Sequence, residues 1–269
     1  MEKTGKVTFA RIWNYVTDIL WKTNITIKDK NIKTNRYQAF CTWRSEAFDN
    51  LFKIENKDLP TATWIWNHYK TKWLKIFFVA TNRKDVQNHI NPHQTNPADY
   101  SKNKYWIELI SWKKSLPKFN RSTTLWNKLF IWWTASILWE DAENIWDVVK
   151  QTKLSLHNML YTMEEASKNT EIDFTKQPII LKIFIKRKED FDIIKSVINN
   201  EKLNILPNTI IETVYTYGTV CRDEWLVEIS CETVNIDIAN LIIDRKIKTL
   251  EEEKNKLIGK KWDLLFLKN

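Results

Sequence analysis

The residues of this chain best suited to chemistry are four histidines, three cysteines and its scattered carboxylates, and their spacing assembles none of the familiar catalytic constellations. His89 and His93 stand four apart, as two metal ligands on one helical face would. Pro92 lies between them and breaks such a face, so the pair reads as loop histidines. His68 and His157 fall in aromatic or apolar stretches that suit structural imidazoles. Glu164 and Glu165 are adjacent and diverge on a helix, which does not suit a paired acid and base. Cys41, Cys221 and Cys231 are too few and wrongly spaced for a zinc framework, and an odd count leaves at least one thiol unpaired or bonded between chains.

Phosphate binding by a glycine-rich loop is not available either. The glycines are Gly5, Gly218 and Gly259, and neither G-x-x-x-x-G-K nor G-x-G-x-x-G occurs. G-x-S-x-G and H-E-x-x-H are also missing. The charged runs have plain readings: Glu251, Glu252 and Glu253 with Lys254 and Lys256 form a solvated helix face, and Lys186, Arg187 and Lys188 a charged strand exit. No catalytic, cofactor or metal site is expected, and the chain reads as a non-enzyme without a small-molecule substrate.

The elements that position these residues fall into four parts. Residues 1–122 read as a mixed α/β part, with an amphipathic helix over 7–21 on Phe9, Ile12, Trp13, Val16, Ile19 and Leu20. Short strands follow near 25–27 and 37–43, a short helix over 45–52, a buried strand over 73–80 and a long polar loop over 83–104. Residues 123–169 form a buried helical block. Leu125, Leu129, Trp132, Trp133, Ser136 and Trp139 follow helical spacing, and a second helix runs from Ile145 to Met163. Residues 170–235 make a compact α+β unit: a strand over 178–186, a helix over 189–199, then two antiparallel strands over 210–220 and 224–234. Residues 236–269 form a C-terminal helical arm with Ile243, Ile247, Leu250 and Leu257 on one seam and an apolar tail beyond Gly259. The expected fold class is α+β, helix-rich, with a smaller antiparallel sheet and a long helical arm.

Composition bounds the rest. A length of 269 residues with 43% hydrophobic and 28% charged residues is that of a folded chain. The net charge of +9 comes from 42 basic and 33 acidic residues that interleave, so a mixed, ion-paired surface explains it as well as nucleic acid does. The longest apolar stretch, 125–139, is broken by Asn127 and Lys128 and is too short to span a bilayer, and residues 1–6 do not open a signal peptide. Tryptophan, with 15 positions against 3 for glycine, is the anomaly. Abundant Lys, Asn and Ile and scarce Gly follow an AT-rich genome, but tryptophan's one standard codon is GC-rich. Its excess therefore reads as selection for large amphipathic surfaces, an argument that a reassigned stop codon would weaken.

Several stretches in order resemble the polyhedrins, the proteins of viral occlusion bodies of insect DNA viruses. Val7, Thr8, Phe9, Ile12 and Asn14 are similar to the family's first segment, and Phe40, Thr42, Trp43, Phe52, Ile54 and Asn56 to a later one. Residues 105–114 (YWIELISWKK) resemble a third. Phe191, Val197 and Ile198, then Gly218 and Thr219, then Leu226, Val227, Glu228, Ile229 and Ser230 resemble the last. The resemblance implies a divergent, nudivirus-like relative of baculovirus polyhedrin and granulin. Such a structural protein self-assembles into the crystalline matrix of occlusion bodies, protects embedded virions and dissolves at alkaline pH. It would reside in the nucleus of an infected host cell, with itself and virions as partners and no membrane insertion. Cys41, Cys221 and Cys231 are then candidates for disulfides between chains. Trp64, Trp66, Trp112, Trp262, Leu264, Leu265, Phe266 and Leu267 are candidates for lattice contacts. A basic nucleic-acid-binding protein is the alternative.

Overall fold

The structure, a computed structural model, describes residues 8–16, 22–27, 30–55, 58–66, 75–82, 85–101, 107–108, 114–206, 209–234 and 236–266. The chain opens with β1 (Thr8–Val16), the hairpin β2 (Lys22–Ile27) and β3 (Lys30–Asn35), and helix α1 (Arg36–Glu46), which runs into a wider π-type turn at Ala47–Leu51. Asn35 starts α1 as its N-cap, accepting from the Gln38 N–H at 2.8 Å. Next come β4 (Thr61–Trp66), β5 (Lys75–Thr81), β6 (Gln87–His89) and the two-residue strands β7 (Ile107–Glu108) and β8 (Lys114–Ser115). The second half holds β9 (Ser122–Leu125), β10 (Lys128–Thr134), β11 (Ile137–Leu138), β12 (Asp141–Ala142), α2 (Val148–Lys168) and β13 (Ile179–Ile185). It closes with α3 (Phe191–Ile205), β14 (Ile210–Tyr217), β15 (Val227–Thr233) and α4 (Ile236–Phe266).

A six-stranded mixed sheet in the order β14-β13-β15-β10-β9-β6 organises the molecule. β13 is parallel to β14 and antiparallel to β15, and the pairs β15/β10, β10/β9 and β9/β6 are antiparallel. The period of two along a strand divides its residues between two cores. Leu181 and Ile183 on β13, Ile229 and Cys231 on β15, and Leu129 and Ile131 on β10 are all buried with Leu156, Met159 and Met163 of α2 and Ile194 and Ile198 of α3. Alternating with them, Phe184 on β13 and Trp132 on β10 join a second buried cluster with Phe40, Cys41 and Phe48 of the N-terminal part. Beside the large sheet stands a three-stranded one, β4-β1-β5, with β1 parallel to β4 and antiparallel to β5.

The expectation of a helix-rich fold around a small sheet is overturned by this topology. Residues 125–139 are not a helix: they supply β9's last residue, the whole of β10 and β11, with a two-residue loop at Trp126 and Asn127. A run that is apolar on every side fits a strand buried on both faces as well as it fits a buried helix. The aromatic and β-branched residues of Leu129 to Thr134 favour the strand. The helix expected over 7–21 is β1, in which Ala10, Ile12 and Asn14 are buried at strand spacing. The strand expected over 37–43 is α1. In the last hundred residues the expected elements are observed as β13, α3, β14, β15 and the long α4. β14 and β15 run in opposite directions, but β13 is inserted between them.

Leu181 is fully buried at the centre of β13. Leu181→Ala is expected to lower unfolding free energy by about 2–4 kcal/mol in urea titrations, the range for a cavity-forming truncation in a packed core.

Candidate active site

On β15, the residues facing α2 and α3 are apolar, whereas Glu228 faces the N-terminal part and is only 5% exposed. A carboxyl in the middle of an interior strand is the most demanding group in this sheet, because its charged form is poorly solvated there. Burial pushes its pKa from 4.5 to about 7, against the opposing pull of a hydrogen bond from Cys221 and of the Arg222 and Arg121 guanidinium groups. Cys221 Sγ donates to Glu228 Oε1 at 3.4 Å. Desolvation outweighs two cations here, so much of the carboxyl population keeps its proton at neutral pH.

Two segments bring side chains to this carboxyl, and a third stands beside Cys221. The loop between β14 and β15 carries Cys221 and Arg222, and Arg222 stacks over the Trp225 ring at 4.7 Å. Gln151, fully buried on α2, fixes this loop: its Nε2 donates to the Glu224 carbonyl at 2.9 Å and its Oε1 accepts from the Leu226 N–H at 2.8 Å. Helix α1 presents Tyr37, Cys41 and Arg44 in one stripe, because positions four and three apart share a helical face. Burial raises the Cys41 thiol to about 11, against the pull of the Arg44 guanidinium. The Cys221 thiol is pushed well above its ordinary value, first by burial and then by the Glu228 carboxyl, with Cys41 also near enough to contribute. Tyr37 is raised well above the usual phenol value by burial, then by Cys41 and Cys221.

Just before β9, Arg121 is the third contribution. It is 3% exposed, and its Nη2 donates to Tyr100 Oη at 2.6 Å and to the Thr95 carbonyl at 3.3 Å. Its Nε is buried and donates to no acceptor among the described residues. Trp132, Trp133, Phe184 and Trp225 belong to the same buried cluster as Cys41 and pack against Tyr37 and Cys221. The result is a carboxyl that largely keeps its proton, flanked by the Cys221 thiol and the Arg121 and Arg222 guanidinium groups, with Tyr37, Cys41 and Arg44 of α1 on the far side of Cys221. That set can donate a proton to a bound anion while holding its negative charges.

Residues 1–80 match the family model described as chorismatase FkbO/Hyg5-like, N-terminal. A crystal structure of chorismatase superposes with a TM-score of 0.67 at 26% identity, over 84% of this chain and 64% of the chorismatase chain. The fold is that of chorismatase. This chain thus spans less than two thirds of the length of that enzyme. E. coli TdcF, solved with bound serine, is 19% identical over 44% of this chain and 87% of its own, with a TM-score of 0.36. The YjgF gene product from E. coli is 18% identical over 44% and 87%, with a TM-score of 0.35. No curated protein matches the sequence.

These findings overturn the polyhedrin resemblance, and with it the occlusion-body matrix, the self-assembly and the nucleus of an infected cell. They equally overturn the non-enzyme reading and the nucleic-acid-binding alternative. The polyhedrin match rested on short apolar and aromatic runs, which any buried strand can supply. Of the residues singled out by sequence, Cys221 lies at Glu228 with Cys41 near it, whereas Cys231 is buried on the opposite, helix-covered face of β15. Trp112 and Leu267 lie outside the described residues. So do the side chains of Trp64 and Trp66 on β4 and of Trp262, Leu264, Leu265 and Phe266 on α4. His89 is buried on β6 against Thr124 Oγ1 at 3.0 Å, and His93 packs on Tyr161. Sequence alone assigns no role to Arg44 or Arg121 and places Glu228 only within the polyhedrin resemblance; the signal for Glu228 is a carboxylate set between Val227 and Ile229 inside a strand.

Glu228 gives a signed pH dependence. Between 4.5 and about 7 the folded chain binds the proton that the unfolded chain has released, so this group's contribution makes stability fall as pH rises through that window. Above it the full penalty, on the order of 3 kcal/mol, is present. Glu228→Gln is expected to remove this slope and to be the more stable protein above pH 7, as read from urea midpoints across the window.

Proposed function

We propose that this chain is a chorismatase-like enzyme acting on chorismate or a close dicarboxylate vinyl ether, with Glu228 as the general acid. The carrying observation is the buried Glu228 carboxyl, raised to about 7 and set between guanidinium groups. The family-model match over residues 1–80 and the chorismatase superposition support the same substrate class.

Chorismate carries two carboxylates and a vinyl ether. Such an ether is cleaved by protonation of its terminal methylene carbon, addition of water at the carbon bearing the ether oxygen, and departure of the ring alcohol, leaving pyruvate. Each element of the site suits one requirement. The neutral Glu228 carboxyl supplies the proton, and the pKa near 7 matches donor strength to neutral working pH. The guanidinium groups of Arg44, Arg121 and Arg222 supply positive charge for two carboxylates, Arg121 through its buried Nε. The same cations stabilise the carboxylate that Glu228 becomes after giving up its proton, as its lowering by Arg222 and Arg121 indicates.

Purified protein is expected to consume chorismate and release pyruvate. Glu228→Gln should lower kcat by roughly 100- to 10,000-fold, the range for loss of a positioned general acid. Arg121→Gln should act mainly on KM. Turnover by Glu228→Gln equal to that of the parent, with the circular dichroism spectrum retained, would remove Glu228 from the reaction.

A further inference from the structure

Among the described residues, five other than glycine adopt positive φ: Lys53, Trp126, Trp139, Asn144 and Trp146. Asparagine tolerates this region, but a bulky aromatic residue there is an outlier that costs conformational energy. No glycine among the described residues has positive φ. The chain therefore spends tryptophan where turn geometry asks for glycine.

Each of the three tryptophans sits in a turn slot with a known residue requirement. Trp126 (φ 54°) is the first loop residue of the β9–β10 hairpin, whose flanking pair is Leu125 and Lys128. Trp139 (φ 53°) holds the same position between Leu138 and Asp141 in the β11–β12 hairpin. Two-residue hairpin loops take positive φ at that first position, which is the reason glycine and asparagine dominate it. Trp146 (φ 65°) is the third residue of the turn closed by the Asp147 N–H on the Asn144 carbonyl at 3.0 Å, a slot that favours glycine when φ is positive. Packing does not offset the strain, since the three side chains are 54%, 64% and 60% exposed.

Composition points the same way. Average usage of about 7% glycine corresponds to roughly 19 positions in a chain of this length, whereas 3 are present. The 15 tryptophans would fill most of that deficit. UGA is a stop codon in the standard code, is decoded as tryptophan in some genomes and as glycine in others. We infer that positions 126, 139 and 146 are encoded by UGA and are glycine in the protein made by its own cell. The surplus of tryptophan is then a surplus of reassigned codons, not of aromatic surface.

The inference is independent of the proposed activity, but it reaches the site. The indole Nε1 atoms of Trp133 and Trp225 are buried without an acceptor among the described residues, a cost that a native indole ordinarily avoids. Trp133 packs edge-on against Phe184 in the cluster beside Tyr37, Cys41 and Cys221.

The test reads the codons at 126, 139 and 146 and the masses of the peptides that carry them, in protein isolated from the natural source. UGA codons with glycine masses at all three positions are expected; UGG, or tryptophan mass, at any one of them overturns the inference. In parallel, the recombinant triple variant W126G/W139G/W146G should melt higher than the tryptophan-bearing chain by roughly 5–10 °C. An equal or lower Tm contradicts the strain on which the inference rests. Neither readout involves chorismate, so failure here is distinct from failure of the proposed function.

Discussion

A carboxyl group buried in an interior strand constrains everything around it. Glu228 cannot move off β15, because its neighbours Val227 and Ile229 are fully buried in the helix-covered core. Its own side chain must therefore face the N-terminal part, where it is either neutral or matched by cations. The protein does both. Cys221 donates to it, Arg121 and Arg222 pull its pKa down, and burial still holds it near neutrality. The stripe of Tyr37, Cys41 and Arg44 on α1 and the clamp of Gln151 on the β14–β15 loop are then intelligible as the means of surrounding one proton.

How much of this could be read from sequence differs along the chain. The last hundred residues alternate clean strand and helix periods, and there the elements were legible: the apolar alternation of Ile179 to Ile185 and the long pattern after Ile236 have single readings. Residues 125–139 had two, since a continuous apolar run satisfies a helix period and a doubly buried strand equally. What decides between them is the pairing of β10 with β9 and β15, and the partner on one side is a hundred residues away. The site was less legible still. Arg44, Arg121 and Glu228 come from three separate segments, and no spacing rule connects them. The three cysteines were noticed as thiols, but their neighbourhood changes their meaning: Cys221 is a hydrogen-bond donor to the acid, and Cys231 is core.

Tryptophan shows how a composition signal can mislead when its cause is unknown. Read as aromatic surface, fifteen tryptophans suggest interfaces and assembly. Placed on the backbone, three of them occupy turn slots that only a residue without a Cβ enters freely. Local turn geometry is thus a better witness to residue identity at these positions than the side chains themselves, which find little to pack against.

Whether a buried and largely protonated Glu228 drives cleavage of a dicarboxylate vinyl ether is decided by the pH profile of kcat/KM for chorismate. Measurable turnover is expected, with a falling limb near pH 7, where the free enzyme's Glu228 loses its proton. No consumption of chorismate at any pH, or a rate that does not fall as pH rises through that value, would contradict it.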